Sequence, residues 1–176
     1  FYSVKDFLNF YTSIRMNEIM KNYKNLEVIY EIGAGLGHTA YYNTKLNDKY
    51  YHIYDLPNIL ILQAYFLMQS LSEGAVHLAN EKKNSYSKVS LYPYWEIFNF
   101  IGSDNILWVN QDSFPQIDIE IAKKYINKIK LSKNSFFLSI NQEAKNANIQ
   151  GRFQYPVHEI IESSNSNLKK IYRSRD

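Results

Sequence analysis

Cysteine is absent from all 176 residues. That excludes a disulfide scaffold, thiolate-bound zinc and iron–sulfur clusters, and it fits a reducing compartment such as the cytoplasm. Arginine is scarce, with four Arg among 20 cations, and 17 acids leave a net charge of only +3. A surface built to grip nucleic acid is therefore not expected. No apolar run reaches the length of a membrane span, and no signal peptide is visible. Gly-Lys-Ser/Thr does not occur, which removes a Walker phosphate loop, and no His pair has zinc spacing. Repeats and low-complexity tracts are lacking too. The remainder is ordinary, with 45% hydrophobic and 21% charged residues. It predicts one globular domain over 1–176, with residues 1–24 as an N-terminal helical segment. The chain starts at Phe1 and ends in the polar Arg175-Asp176, so a piece of a longer protein is expected.

Strand and helix patterns alternate. Ser3 to Tyr23 predicts an amphipathic helix, capped by Ser3, with Val4, Phe7, Leu8, Tyr11 and Ile14 on its apolar face. Leu26 to Ile32 is a β-branched run ending at glycines, which predicts a buried strand. Leu36 to Leu46 follows as a helix, then Tyr50 to Tyr54 as a strand. Pro57 opens a helix to about Leu71 with Gly74 just beyond it. Ala75 to Ala79 is a candidate third strand, and Glu81 to Lys88 a loop. Further strands are predicted at Ile106 to Val109, Ser135 to Ile140 and Leu168 to Tyr172, and a helix over Asp118 to Leu131. The alternation argues an α/β fold, a parallel sheet with helices on both faces. Its central strand is Leu26 to Ile32, between Tyr50 to Tyr54 and Ile106 to Val109.

The strongest local signal is Glu31-Ile32-Gly33-Ala34-Gly35-Leu36-Gly37, where a strand feeds a helix. Glycines there allow a sharp turn and close approach to a ligand, or simply end a strand. A dinucleotide fingerprint, G-x-G-x-x-G, needs its third glycine where His38 stands. The pattern present, E-x-G-x-G-x-G, suits the methionine pocket of S-adenosylmethionine (SAM), which has no phosphates to cradle. Glu31 then helps to hold the cationic amino group. Asp55 ends the next strand, where a carboxylate can accept from both ribose hydroxyls or can cap the following helix.

Four blocks carry a resemblance. They are Val28 to Gly37, Tyr54-Asp55-Leu56-Pro57, Asn110-Gln111-Asp112-Ser113-Phe114 and Ser139-Ile140-Asn141-Gln142-Glu143. Over residues 26 to 160 the chain resembles the bacterial sugar O-methyltransferases, of the class I SAM-dependent, Rossmann-like type. The resemblance implies that Gly33, Ala34, Gly35 and Gly37 line the methionine part of SAM. It also implies that Asp55 and Leu56 meet the nucleoside and that Asn110 faces the transfer site. Gln116 and Ile117 depart from the acid-Met pair typical of the family. The usual terminal hairpin would continue past Asp176.

Methylating a hydroxyl needs alignment and a base for the acceptor proton. The candidate bases are His158, Asp112, Glu143 and His38, with His158 favoured and Asp112 second. Asn141, Arg152 and Tyr155 are candidate acceptor contacts. Asp112, Asn141 and Glu143 would offer oxygen ligands to a divalent metal, although no spacing demands one. Tyr92-Pro93-Tyr94-Trp95 is a candidate pocket wall. The expected function is SAM-dependent methylation of a sugar or other small-molecule hydroxyl in the cytoplasm. Other readings are a non-catalytic SAM-fold binding module, an RNA methyltransferase, or an NAD-dependent sugar epimerase or dehydrogenase.

Overall fold

The computed structural model describes residues 4–82, 84–99, 104–143 and 153–174. In chain order the elements are α1 (Val4–Asn22), β1 (Val28–Ile32), α2 (His38–Leu46), β2 (Tyr50–Asp55) and α3 (Pro57–Ser70). Then follow β3 (Val76–Leu78), β4 (Val89–Pro93), α4 (Glu96–Asn99), β5 (Ile106–Gln111), α5 (Ile119–Ile129), β6 (Phe136–Ile140) and α6 (Val157–Ser163). The six strands form one sheet in the order β3-β4-β2-β1-β5-β6, and every pairing is parallel. β1 is central, as the sequence predicts, with β2 on one side and β5 on the other.

Alternation along each strand builds two cores. Tyr30, Ile32, Tyr54 and Trp108 point to one face and pack with Ile97 of α4, Ala122, Ile126 and Ile129 of α5, and Ile160 of α6. Ile29, Ile53, Leu107 and Val109 point to the other and pack with Met16 and Met20 of α1, Ala40 of α2 and Leu67 of α3. A parallel sheet covered on both faces needs strands that are apolar on both sides, and β1 and β5 are buried almost throughout. Of the stripe its spacing predicts, Ile119, Ala122, Ile126 and Ile129, α5 buries the last three, leaves Ile119 partly buried and adds Tyr125.

Three expectations are corrected. Phe7 and Tyr11 of the α1 stripe are 69% and 43% exposed, while Thr12, Ser13, Met16 and Met20 face inward. Polar anchoring sets that rotation: Ser13 Oγ donates to Thr39 O at 3.0 Å, and Thr39 and Gln111 both donate to Asn9 Oδ1. Val89–Pro93 is a strand inserted between β2 and β3, so Tyr92 and Pro93 belong to the sheet itself. Proline is tolerated there because β3 ends opposite Leu91, so Pro93 is paired only on its β2 side. Leu168 to Tyr172 forms no strand; Leu168 packs on the α5-side core, and Ile171 and Tyr172 are exposed. The expected Ser3 cap lies outside the described residues, as does Arg152.

α5 is capped by Asp118, whose carboxylate accepts from the amides of Glu120 and Ile121. Asp118→Ala should lower stability by about 1 kcal/mol, the usual cost of a lost N-cap. Urea denaturation reads that loss, and ligand affinity should be unchanged, because Asp118 precedes α5 and has no part in the glycine loop.

Candidate functional site

Parallel strands bring their carboxyl ends to one edge. Gly33 follows β1, Asp55 ends β2, Asn110 and Asp112 lie at the end of β5, and Asn141 and Glu143 follow β6. Neighbouring strands stand about 4.8 Å apart, so this row runs about 14 Å from Asp55 to the β6 end.

The glycine loop is held from three sides. Gly33 and Gly37 have φ of 73° and 84°, in the left-handed region that side chains disfavour. Gly33 N donates to Tyr54 O at 3.0 Å, which ties the loop to β2. A Cβ at Gly33 would stand 2.6 Å from Ser113 Cβ, and one at Gly37 would stand 3.2 Å from Leu67 Cδ1. At Gly35 a Cβ would meet nothing within 4 Å, so open room lies over the middle of the loop.

Asp55 is 9% exposed. Its Oδ1 accepts from Leu56 N at 2.8 Å and its Oδ2 from Gln63 Nε2 at 2.7 Å. The same Nε2 donates to Gly35 O at 2.8 Å. Asp55 does not cap α3; Leu56 holds the N-cap position and provides no side-chain bond. Burial raises the Asp55 carboxyl above its ordinary value, while the amides of Leu56 and Gln63, and those of Ala34 and Gly35, favour its ionised form. The desolvated carboxylate lies at the edge where open α/β sheets take ligands. Leu56 is 52% exposed beside it.

Glu31 is buried, and Tyr51 Oη donates to its Oε2 at 2.8 Å. Burial pushes its carboxyl up to about 7, the Tyr51 hydroxyl pulling it back and the Asp55 charge adding a further push. Asn110 is fully buried. Its Nδ2 donates to Ile32 O at 2.8 Å and to Ser113 Oγ, and its Oδ1 accepts from Phe114 N at 3.2 Å and Asn141 Nδ2 at 2.8 Å. Ser113 Oγ itself donates to Ile32 O at 3.0 Å. Asn110 thus braces the end of β1 against β5 and β6.

The other candidates divide by location. His158 stands in the first turn of α6, 40% exposed, with Nδ1 3.9 Å from Glu143 Oε1. Glu143 also pairs with Arg173. These groups share the β6 end of the edge. Asn141 donates to Asn110 and Ser139, and its buried Oδ1 has no hydrogen-bond partner. Tyr155 packs against the α5-side core. Asp112 is exposed, with φ of 53°, and its amide donates to Ile140 O at 3.0 Å. His38 is drawn to the helical layer instead: Nδ1 lies 3.4 Å from Asp6 Oδ1 and the ring meets Phe66 edge-on at 4.5 Å. Tyr94 lines a groove of about 680 Å³ with Phe98, Ile121 and Leu131, which contains neither the loop nor Asp55. Among the described residues, no three His, Asp or Glu side chains gather as a metal site. Also among these residues, no helix is long and apolar enough to cross a membrane.

Sequence reading missed Tyr51, Gln63 and Ser113 as parts of this site. Gln63 had a signal, since it interrupts the apolar run Ile59 to Met68. Tyr51 had none, and Ser113 stood only within a resemblance block with no role, because their partners are distant in the chain.

An acid whose folded value lies above its unfolded one stabilises the fold fully below about 4.5, and that contribution is lost as pH rises through about 7. Glu31→Gln stays neutral and keeps an acceptor for Tyr51. Relative to the wild type it should gain about 3 kcal/mol between pH 4.5 and 8. Urea unfolding across that range measures it, and parallel pH curves for the two proteins would refute the assignment.

No protein-family model matches the sequence, and no curated protein matches it either. Solved structures do resemble it. The mitomycin 7-O-methyltransferase superposes with a TM-score of 0.56 at 11% identity, over 87% of this chain and 47% of that one. Human N-acetylserotonin methyltransferase, solved in complex with SAM, gives 0.50 at 11% identity, over 91% of this chain and 50% of that one. The chain spans about half the length of these structures. Its architecture, a parallel sheet flanked by helices with a glycine loop after the central strand, is the class I SAM-dependent methyltransferase fold.

Proposed function

We propose that the chain is the catalytic core of a SAM-dependent O-methyltransferase acting on a hydroxyl of a sugar or other small molecule. One observation carries this reading: the buried Asp55 carboxylate and the loop Gly33 to Gly37 share one strand edge and are joined through Gln63. The residues fit the cofactor. The open room at Gly35 admits a close ligand, and Asp55 offers two carboxylate oxygens at the place where ribose hydroxyls lie in open α/β sheets. Gly33, Ala34, Gly35 and Gly37 would hold the methionine portion, with the Glu31 carboxylate behind them. Asp55 would hold the ribose and Leu56 would supply an apolar wall. Bound SAM supplies a methyl group on a positive sulfur, a reactive donor that needs no activation by the protein.

The protein's remaining work is alignment and proton removal. His158 takes the acceptor proton at its Nε2. The Glu143 carboxylate, 3.9 Å from Nδ1 and fixed by Arg173, stabilises the imidazolium that forms. Asp112, the second candidate base, and Asn141 lie on the same strand edge. The acceptor preference for sugars rests on the family resemblance of the four sequence blocks. The cytoplasm is the compartment proposed, in keeping with a sequence without cysteine.

Titration calorimetry with SAM and S-adenosylhomocysteine tests the cofactor half. Asp55→Ala should weaken binding by about 1–3 kcal/mol with the fold intact, the cost of losing a charged hydrogen-bond partner. Equal affinity would remove Asp55 from the site. On an acceptor that supports turnover, His158→Ala should lower the rate by about a hundredfold with SAM affinity unchanged. Full turnover would place the base elsewhere. Tight SAM binding without methylation of any hydroxyl in a broad acceptor panel would instead favour a binding module.

A further inference from the structure

α3 carries no charged residue, and its two buried side chains are Gln63 and Leu67, one turn apart. Leu67 lies against Gly37, and Gln63 reaches Gly35 and Asp55. Gln63 is fully buried, yet its Oε1 has no hydrogen-bond partner. A buried amide with an unmade bond is costly, and a leucine would fill the same space without that cost. Packing alone therefore does not account for a glutamine here. What Gln63 adds is the pair of bonds from Nε2, at 2.8 Å to Gly35 O and 2.7 Å to Asp55 Oδ2.

We propose that Gln63 is a positioning residue for the cofactor, its amide locking the glycine loop and the Asp55 carboxylate into the one relative placement that the ribose and methionine ends require. The inference rests on the SAM reading above and adds to it a residue that need not touch the ligand. Asp55 is fixed at both oxygens, by Leu56 N on Oδ1 and Gln63 on Oδ2, so its plane cannot turn. The Ala34 and Gly35 amides of the loop reach the same carboxylate, so its placement and the loop's are set together. Other ionisable groups acting on Asp55 are Glu31 from β1 and Tyr125 from α5. Both are present in every variant below, so comparison at equal pH cancels them.

The test is S-adenosylhomocysteine affinity of the full chain from pH 5.5 to 8.5, for wild type, Gln63→Leu and Gln63→Glu. Gln63→Leu should bind about tenfold more weakly, the loss of one bond to a charged group, with circular dichroism unchanged. Gln63→Glu places a second carboxyl against Asp55. At low pH the pair shares a proton, which replaces the amide donor. At high pH both groups ionise and repel. Its affinity relative to wild type at the same pH should thus fall about tenfold or more across the range. A purely structural Gln63 would lower the melting temperature and leave that ratio flat, which would overturn the proposal. Should the wild type itself fail to bind, the SAM reading falls. The coupling is then read without ligand, from the carbon-13 titration of the Asp55 carboxyl. Gln63→Leu should raise its apparent pKa, because a bond favouring the charged form is gone. An unchanged titration would refute the positioning role.

Discussion

The parallel register of β1 with β2 and β5 is the constraint on which the site depends. Ile32 stands opposite Tyr54, so the chain leaves β1 at Gly33 at the level where β2 reaches Asp55. Val109 stands opposite Glu31, which brings Asn110 level with Ile32, one residue before the loop, on the other side. A slip of one residue would turn every strand side chain to the wrong face and separate these groups. The two-sided core prevents that slip. Tyr30 and Trp108 must face α5, and Ile29 and Leu107 must face α1 and α2, so register and site are fixed by the same burial.

Within that frame the polar residues do two kinds of work. Some join elements: Asn110 and Ser113 grip the end of β1, and Asn9, Thr39 and Gln111 bind α1 to α2 and β5. The close approach of Ser113 to Gly33 means that the glycine is required by crowding as well as by its φ. Others hold charge away from water at the carboxyl ends of the strands. Glu31 and Asp55 are both buried acids raised by desolvation, and each is hydrogen-bonded to a neutral donor, Tyr51 or Gln63. Neutral donors temper the charge without cancelling it. Negative potential therefore remains at this edge, and under the proposed function it would face the cationic sulfur and amino group of SAM.

Much of this was legible in the sequence, because it depends on local pattern. The run Leu26 to Ile32, the glycines after it and Asp55 before Pro57 each carry their meaning within a few residues. They place the central strand, the loop and the edge carboxylate where the structure has them. What the sequence hid was set by distant partners. α1 has several apolar stripes, and the one that turns inward is chosen by bonds from Asn9 and Ser13 to α2 and β5. β4 follows a polar loop and ends in proline, and its strand is set by pairing with β2 and β3. Leu168 to Tyr172 has strand composition, but among the described residues no strand pairs with it. At the site, the sequence puts Asp112 ahead of Glu143 as a candidate base. Folding leaves Asp112 exposed on a left-handed turn and sets Glu143 between His158 and Arg173.

The central claim is that this strand edge is a SAM site, and a structure of the chain with bound S-adenosylhomocysteine tests it most directly. The account predicts the ribose hydroxyls within about 3 Å of the Asp55 carboxylate, the homocysteine end over Gly33 to Gly37, and the sulfur turned toward the β5 and β6 ends. A ligand seated elsewhere on the molecule would contradict it, as would a structure in which the ribose makes no contact with Asp55.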